Sequence, residues 1–211
     1  TNMVKDIYPG STSSMPTYLT AVGSNLFFRA DDGSNGAELW MSDGTSSGTV
    51  LVKDVRPGTT GSSIGPTAVM DGVFYFRATS NTVSGELWKS DGTDAGTVLV
   101  KELNPSQGAY ISNFEVAGST LYFTCNMYTH GKELCKSDGT SSGTVMVKDI
   151  NTNGWSGSDL DNLYSVGNIL YFQASDGING KELWMSDGTI SGTNISHDFG
   201  NGVEDAIEIS S

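Results

Sequence analysis

Of the 211 residues 27 are glycine, 36% are hydrophobic and only 17% are charged, so a core of ordinary size can form but a helical bundle is disfavoured. Acidic residues outnumber basic ones 24 to 11, and a formal charge of −13 repels nucleic-acid backbones and anionic lipid surfaces. No apolar run is long enough for a membrane helix, and the opening Thr-Asn-Met-Val-Lys-Asp-Ile lacks the basic and apolar stretches of a signal peptide.

An internal repeat organises the chain. Glu-Leu-Trp, or Glu-Leu-Cys, recurs at Glu38, Glu86, Glu133 and Glu182, each followed by Ser-Asp-Gly-Thr with its aspartate at Asp43, Asp91, Asp138 and Asp187. Each unit of about 48 residues holds four short strand-like segments separated by glycine-bearing turns. Strand a is expected at 18–22, 67–70, 113–116 and 163–166, and strand b at 26–30, 73–78, 121–125 and 169–174. Strand c carries the Glu-Leu-Trp, and strand d is expected at 50–55, 98–103, 145–150 and 194–199. The a–b, b–c and c–d links are hairpin-sized, whereas the d–a link is longer and rich in Pro, Gly and Ser. One long traverse per unit predicts an all-β fold: a β-propeller of four four-stranded antiparallel blades in a single domain, with repeats at about 4–51, 52–99, 100–146 and 147–195 and a partial unit at 196–211. Strand b agrees, being apolar on both faces (Phe74-Tyr75-Phe76, for example), as a strand between two packed sheets must be. A β-solenoid is the alternative, but it has no use for tight hairpins.

The Glu-Leu-Trp-x-Ser-Asp-Gly-Thr-x-x-Gly-Thr string, followed by Val-Lys-Asp-Ile and a Pro-Gly loop, resembles the ELWxxDGT repeat of secreted or surface-exposed, mainly bacterial proteins. The resemblance covers nearly the whole chain and implies a propeller-like, secreted or cell-surface protein; it implies no particular activity. The Ser-Asp-Gly-Thr turn is also similar to the Asp-box of sialidase-type propellers, with a different spacing.

The ends extend the pattern. Val4-Lys5-Asp6-Ile7 matches a strand d and 205–209 matches a strand a, so the chain reads d, four times abcd, then a. Either it is an excerpt of a longer array or the termini form a fifth, incomplete blade. Open strand edges there would favour homo-oligomers.

Comparing the units assigns roles to residues. A register that sets Trp40 opposite Leu51 also sets Glu38 opposite Lys53, and likewise Glu86–Lys101, Glu133–Lys148 and Glu182–His197, so the glutamates read as cross-strand partners of cations. The Ser-Asp-Gly-Thr aspartate reads as a turn former, with calcium ligation as the alternative. Unit three replaces the strand-b alanine by Cys125 and the strand-c tryptophan by Cys135. If alanine and tryptophan are neighbours elsewhere, the two cysteines lie within disulfide reach, which would imply an oxidising compartment; two free thiols or a metal site are the alternatives.

Variation between units concentrates in the b–c and d–a loops, which share one end of each sheet. There Trp155, Tyr110 and Tyr128, with Asp159 and Asp161, suit a sugar ring stacked on an aromatic face with its hydroxyls bonded to carboxylates. Asp31, Asp32 and Asp176 are candidate calcium ligands, calcium being the one cofactor considered and none being required. Arg29 and Arg77, at one strand-b position, are candidates for an anion site or for neutralising nearby carboxylates. His130 and His197 have no nucleophile marked out beside them. The function expected is a non-enzymatic extracellular module that binds glycan or surface protein through the variable loops. Its alternatives are a self-associating structural repeat and a propeller-type glycoside hydrolase. Nucleic acid and membrane insertion are not expected.

Overall fold

The computed structural model describes residues 1–197. The fold is all-β and of the β-propeller type: among the described residues sixteen strands form four four-stranded antiparallel sheets, and each sheet runs in chain order from strand a to strand d. Blade 1 comprises β1 (Thr17–Val22), β2 (Asn25–Asp31), β3 (Ala37–Ser42) and β4 (Val50–Lys53). Blade 2 comprises β5 (Thr67–Met70), β6 (Val73–Ala78), β7 (Glu86–Ser90) and β8 (Val98–Lys101). Blade 3 comprises β9 (Ser112–Ala117), β10 (Thr120–Met127), β11 (Gly131–Ser137) and β12 (Val145–Lys148). Blade 4 comprises β13 (Asp161–Val166), β14 (Ile169–Ser175), β15 (Lys181–Ser186) and β16 (Asn194–His197). Blades 1 and 2 belong to one compact unit, which ends at Tyr110; blades 3 and 4 belong to a second, which begins at Ile111.

The sheets stack where strand b is apolar on both faces. In the first unit Phe27 of β2 stacks on Phe74 of β6 with ring centroids 4.8 Å apart, and Phe74 continues onto Phe76 at 5.4 Å. Aromatic pairs of this kind add roughly 0.5–1.5 kcal/mol each beyond the area they bury. Leu39, Val52, Val55 and Trp88 close the same cluster. In the second unit Tyr122, Leu134, Val147 and Ile150 of blade 3 meet Leu170, Phe172, Ala174 and Trp184 of blade 4.

In blades 1 to 3 strand d ends two residues earlier than expected, and the cause also corrects the glutamate assignment; residues 198–199 of the fourth expected strand d lie outside the described residues. Trp40 does face Leu51, but a bulge follows and Leu39 faces Lys53. The same shift separates Leu87–Lys101 from Trp88–Leu99 and Leu134–Lys148 from Cys135–Met146. Glu38 is therefore not opposite Lys53; it is fully buried, and its Oε2 accepts the Val55 N–H at 3.0 Å. The chain leaves the ladder after the lysine because its next donors turn to that carboxylate. The lysines reach other groups: Lys53 Nζ lies 3.2 Å from Asp94 Oδ1, and Lys148 donates to the Thr193 carbonyl at 2.6 Å.

Cys125 of β10 and Cys135 of β11 form a disulfide. Cys125 faces Glu133 and Cys135 faces Phe123, so the two are diagonal neighbours with Cα atoms 5.9 Å apart. Ala30 and Trp40 hold the same diagonal in blade 1. Val4–Ile7 forms no strand, and the strand expected at 205–209 lies outside the described residues. None of the described helical segments is long and apolar enough to cross a membrane.

Candidate functional site

The two ends of each sheet differ in chemistry. At the c–d end the Ser-Asp-Gly-Thr-x-x-Gly-Thr residues bond to one another. Asp43 Oδ1 accepts the Thr45 N–H at 2.8 Å and the Thr45 hydroxyl at 2.7 Å; Thr45 Oγ1 accepts the Gly48 N–H; and Ser42 Oγ meets Thr49 Oγ1 at 2.7 Å. The Asp91, Asp138 and Asp187 turns repeat the set. The Thr45 hydroxyl and N–H hold the Asp43 carboxyl below its ordinary value. Gly48, Gly96, Gly143 and Gly192 leave room for that carboxylate, into which a Cβ at any of them would run. This end is occupied by its own turn-forming bonds.

At the b–c and d–a end, the buried glutamate of strand c holds the d–a linker. Glu86 accepts the N–H groups of Leu103, Asn104 and Ala109 at 2.9, 3.3 and 3.0 Å. Glu133 Oε2 accepts the Ile150 N–H at 3.0 Å and the Ser158 hydroxyl at 2.7 Å. Burial pushes the Glu133 carboxyl up to about 7 against those donors, with the Asp149 charge acting in the same direction. Burial pushes Glu38 up to about 7 as well. The linker is also stitched by backbone to the sheets on either side: the Ser158 N–H reaches the Lys132 carbonyl at 2.9 Å and the Ser175 N–H reaches the Ser158 carbonyl at 2.8 Å. Ser62 is stitched in the same way to Ala37 and Thr79. Each linker also keeps one non-glycine residue in the left-handed region, at equivalent places: Met15, Ser63, Tyr110 and Asp159, with φ of 46°, 52°, 42° and 49°. All four are exposed.

In the second unit this framework presents an aromatic pair. Trp155 lies on a 3-10 turn, Gly154–Ser156, in the linker between β12 and β13, and Tyr128 lies in the β10–β11 loop. Their rings are 5.2 Å apart and nearly perpendicular, at 78°. Trp155 is 65% exposed and Tyr128 50%, whereas Trp40, Trp88 and Trp184 are 5–9% exposed. An edge-to-face contact at this distance adds roughly 0.5–1.5 kcal/mol. The approach depends on Gly131, whose φ is 73° and whose added Cβ would stand 2.6 Å from the Trp155 carbonyl and 2.5 Å from the Gly157 nitrogen. His130, beside Tyr128 in sequence, places Nδ1 2.8 Å from Asp149 Oδ2. Below the pair, Asn151 Nδ2 donates to the Gly157 carbonyl at 2.7 Å and its Oδ1 accepts the Asn153 N–H at 3.2 Å, so the turn carrying Trp155 is braced from within.

Of the residues singled out in the sequence, Trp155 and Tyr128 are thus brought together. Asp159 follows in the same linker and forms an ion pair with Lys181 at 2.9 Å. Asp161 opens β13 opposite Gln173, its Oδ1 accepting the Asn162 N–H at 3.1 Å. Tyr110, exposed and at the left-handed position, belongs to the first unit. Asp32 and Asp176 hold equivalent turns: Asp32 Oδ1 accepts from Ser34 and Asn35, and Asp176 Oδ1 accepts from Ile178 and Asn179, each at 2.8 Å. Burial opposes these donors, which still hold both carboxyls below their ordinary value. Asp31 Oδ1 accepts the Gly33 N–H at 2.7 Å. Among the described residues no three His, Cys, Asp or Glu side chains converge as a metal ion would require. The His130–Asp149 pair and the Asn151 brace escaped the sequence reading. Asp149 looked like one of four strand-d residues, and only its neighbour across the loop, the histidine peculiar to unit three, distinguishes it.

No family model matches the sequence, and no curated protein matches it. Solved structures do share its architecture. A puromycin hydrolase mutant complexed with PGG is similar with a TM-score of 0.56 at 16% identity, over 85% of this chain and 28% of that one. A puromycin-hydrolyzing peptidase of Mycobacterium tuberculosis gives 0.54 at 12% identity, over 92% and 29%. A prolyl endopeptidase gives 0.51 at 14%, over 85% and 28%. At these identities the likeness is one of fold, and the chain spans less than a third of the length of those proteins.

Proposed function

We propose that the chain is a secreted or surface-exposed repeat protein of the ELWxxDGT kind that binds neutral glycan, without chemistry, on the Trp155–Tyr128 platform. The observation that carries this reading is a pair of exposed aromatic rings in edge contact at 78°, Trp155 on a braced linker and Tyr128 on the neighbouring β10–β11 loop. Trp155 is 65% exposed with Tyr128 in edge contact beside it, and an exposed indole suits the flat C–H face of a pyranose, with little reordering on binding where the ring is already in contact. Asn153 and Asp159 on the same linker, with Lys181 of β15 paired to Asp159, offer hydroxyl partners. The charge of −13 favours uncharged ligands over sialylated or sulfated ones. The Cys125–Cys135 disulfide is in keeping with an oxidising compartment.

The test is a glycan array followed by titration of tryptophan emission. Trp155 is the one well-exposed tryptophan of four, so a red-edge change on binding reports this ring. Trp155→Ala should weaken a neutral-glycan hit by about tenfold or more, roughly 1.4 kcal/mol, with Tyr128→Ala losing less. Equal affinity in the Trp155 variant would remove the platform from the reading.

A further inference from the structure

Val4–Ile7 carries the strand-d pattern of Val52–Val55 and Val147–Ile150, yet it is not part of any sheet. Its side chains nevertheless act on blade 1 as a strand d acts on the blade that follows it. Lys5 Nζ donates to the Thr49 carbonyl at 2.7 Å, as Lys148 Nζ does to that of Thr193 at 2.6 Å. Lys5 Nζ stands 6.0 Å from the Trp40 ring centroid, as Lys148 stands 5.6 Å from that of Trp184. Ile7 packs on the Phe28–Ala30–Trp40 cluster, as Ile150 does on Phe172, Ala174 and Trp184.

The difference is a missing neighbour. Strands β4, β8 and β12 each pair with a strand c, and just past each of them an N–H is given to that blade's glutamate: Val55 to Glu38, Leu103 to Glu86, Ile150 to Glu133. Val4–Ile7 has no paired strand among the described residues. Its exposure registers the lack: Val4 is 47% exposed, whereas Val52, Val100 and Val147 at the same position are 3–7%. Every strand c among the described residues already has its strand d, including β15 with β16. A second copy therefore offers no free one.

We propose that Val4–Ile7 is a docking strand for the strand c of another Glu-Leu-Trp-x-Ser-Asp-Gly-Thr unit that lacks a strand d of its own. The register follows from the three complete blades. The incoming leucine faces Lys5, the tryptophan faces Met3, and the glutamate carboxylate takes the Ile7 N–H. Backbone pairing supplies the affinity, and the buried glutamate and tryptophan select the partner.

The experiment fuses a copy of residues Thr67–Gly96 directly ahead of Thr1, which stands in the pattern where Thr97 stands ahead of Lys101. Amide exchange is then followed over residues 3–8 in the fused and unfused chains. Exchange at Val4–Ile7 should slow on the order of 100-fold in the fusion, the added residues should themselves be protected, and Glu86→Ala in the added copy alone should release the Ile7 amide. Free exchange at Val4–Ile7 in the fusion overturns the proposal, and so does an added copy that stays unfolded, since the segment is then not serving as its outer strand. Protection in the unfused chain that grows with protein concentration assigns the segment to a second copy and overturns it equally.

Discussion

Replacing Glu133 by glutamine isolates the energetic effect of a buried carboxylate in the linker clamp. The unfolded side chain ionises near its ordinary 4.5, the folded one at about 7. Between those values the folded chain keeps a proton that the unfolded chain has released, so this group makes stability fall as pH rises through that window. The rise corresponds to about 3 kcal/mol, at about 1.4 kcal/mol per pH unit. Glutamine keeps an acceptor for the Ile150 N–H and the Ser158 hydroxyl but does not titrate. Urea unfolding followed at about pH 5 and about pH 8 should therefore find the wild type and Glu133→Gln close together in acid. At the higher pH the variant should be ahead by roughly 2–3 kcal/mol. A gap that stays constant across the range would refute the argument, since it would mean that the folded and unfolded chains carry the same charge on this group at both pH values.

Other perturbations follow from the same geometry. Cys125→Ala with Cys135→Ala opens a loop of sequence separation 10 and should lower stability by about 2–3 kcal/mol in chemical denaturation; a variant as stable as the oxidised wild type would refute this. Gly48→Ala drives a methyl group into the Asp43 carboxylate and should cost about 1–3 kcal/mol by thermal melting, while Ser47→Ala, one residue before it, should change little. Met15→Gly relieves a left-handed backbone at an exposed side chain and should raise stability by roughly 1 kcal/mol or leave it unchanged; a clear loss would show that the methionine side chain packs.

The architecture was legible because four copies of one string repeat their punctuation at nearly even spacing, and because residues such as Phe74, Tyr75 and Phe76 can be satisfied only between two sheets. The disulfide was legible for a related reason: the unit that departs from its siblings at two positions names a pair. The glutamate's role was not. A single-residue bulge between Leu39 and Trp40 moves Lys53 by one place, and nothing in the alternation of residues announces it. Once the bulge is present, Glu38 loses its expected cation and gains the Val55 N–H, which turns a surface ion pair into a buried clamp. The candidate site was half legible. Trp155 and Tyr128 stood out as aromatics in variable loops, but their contact depends on Gly131 passing close to Gly157, a property of folded loops and not of local sequence.

The four left-handed linker residues have a practical consequence. Methionine, serine, tyrosine and aspartate all occupy one backbone shape there, each with its side chain facing water. Beside Ser63 and Asp159 backbone bonds to the sheets on both sides hold that shape, and of the four side chains the aspartate keeps an ion pair, with Lys181. Such a place behaves as an interchangeable socket, at which a library of side chains could be displayed once per blade while the scaffold beneath keeps its geometry.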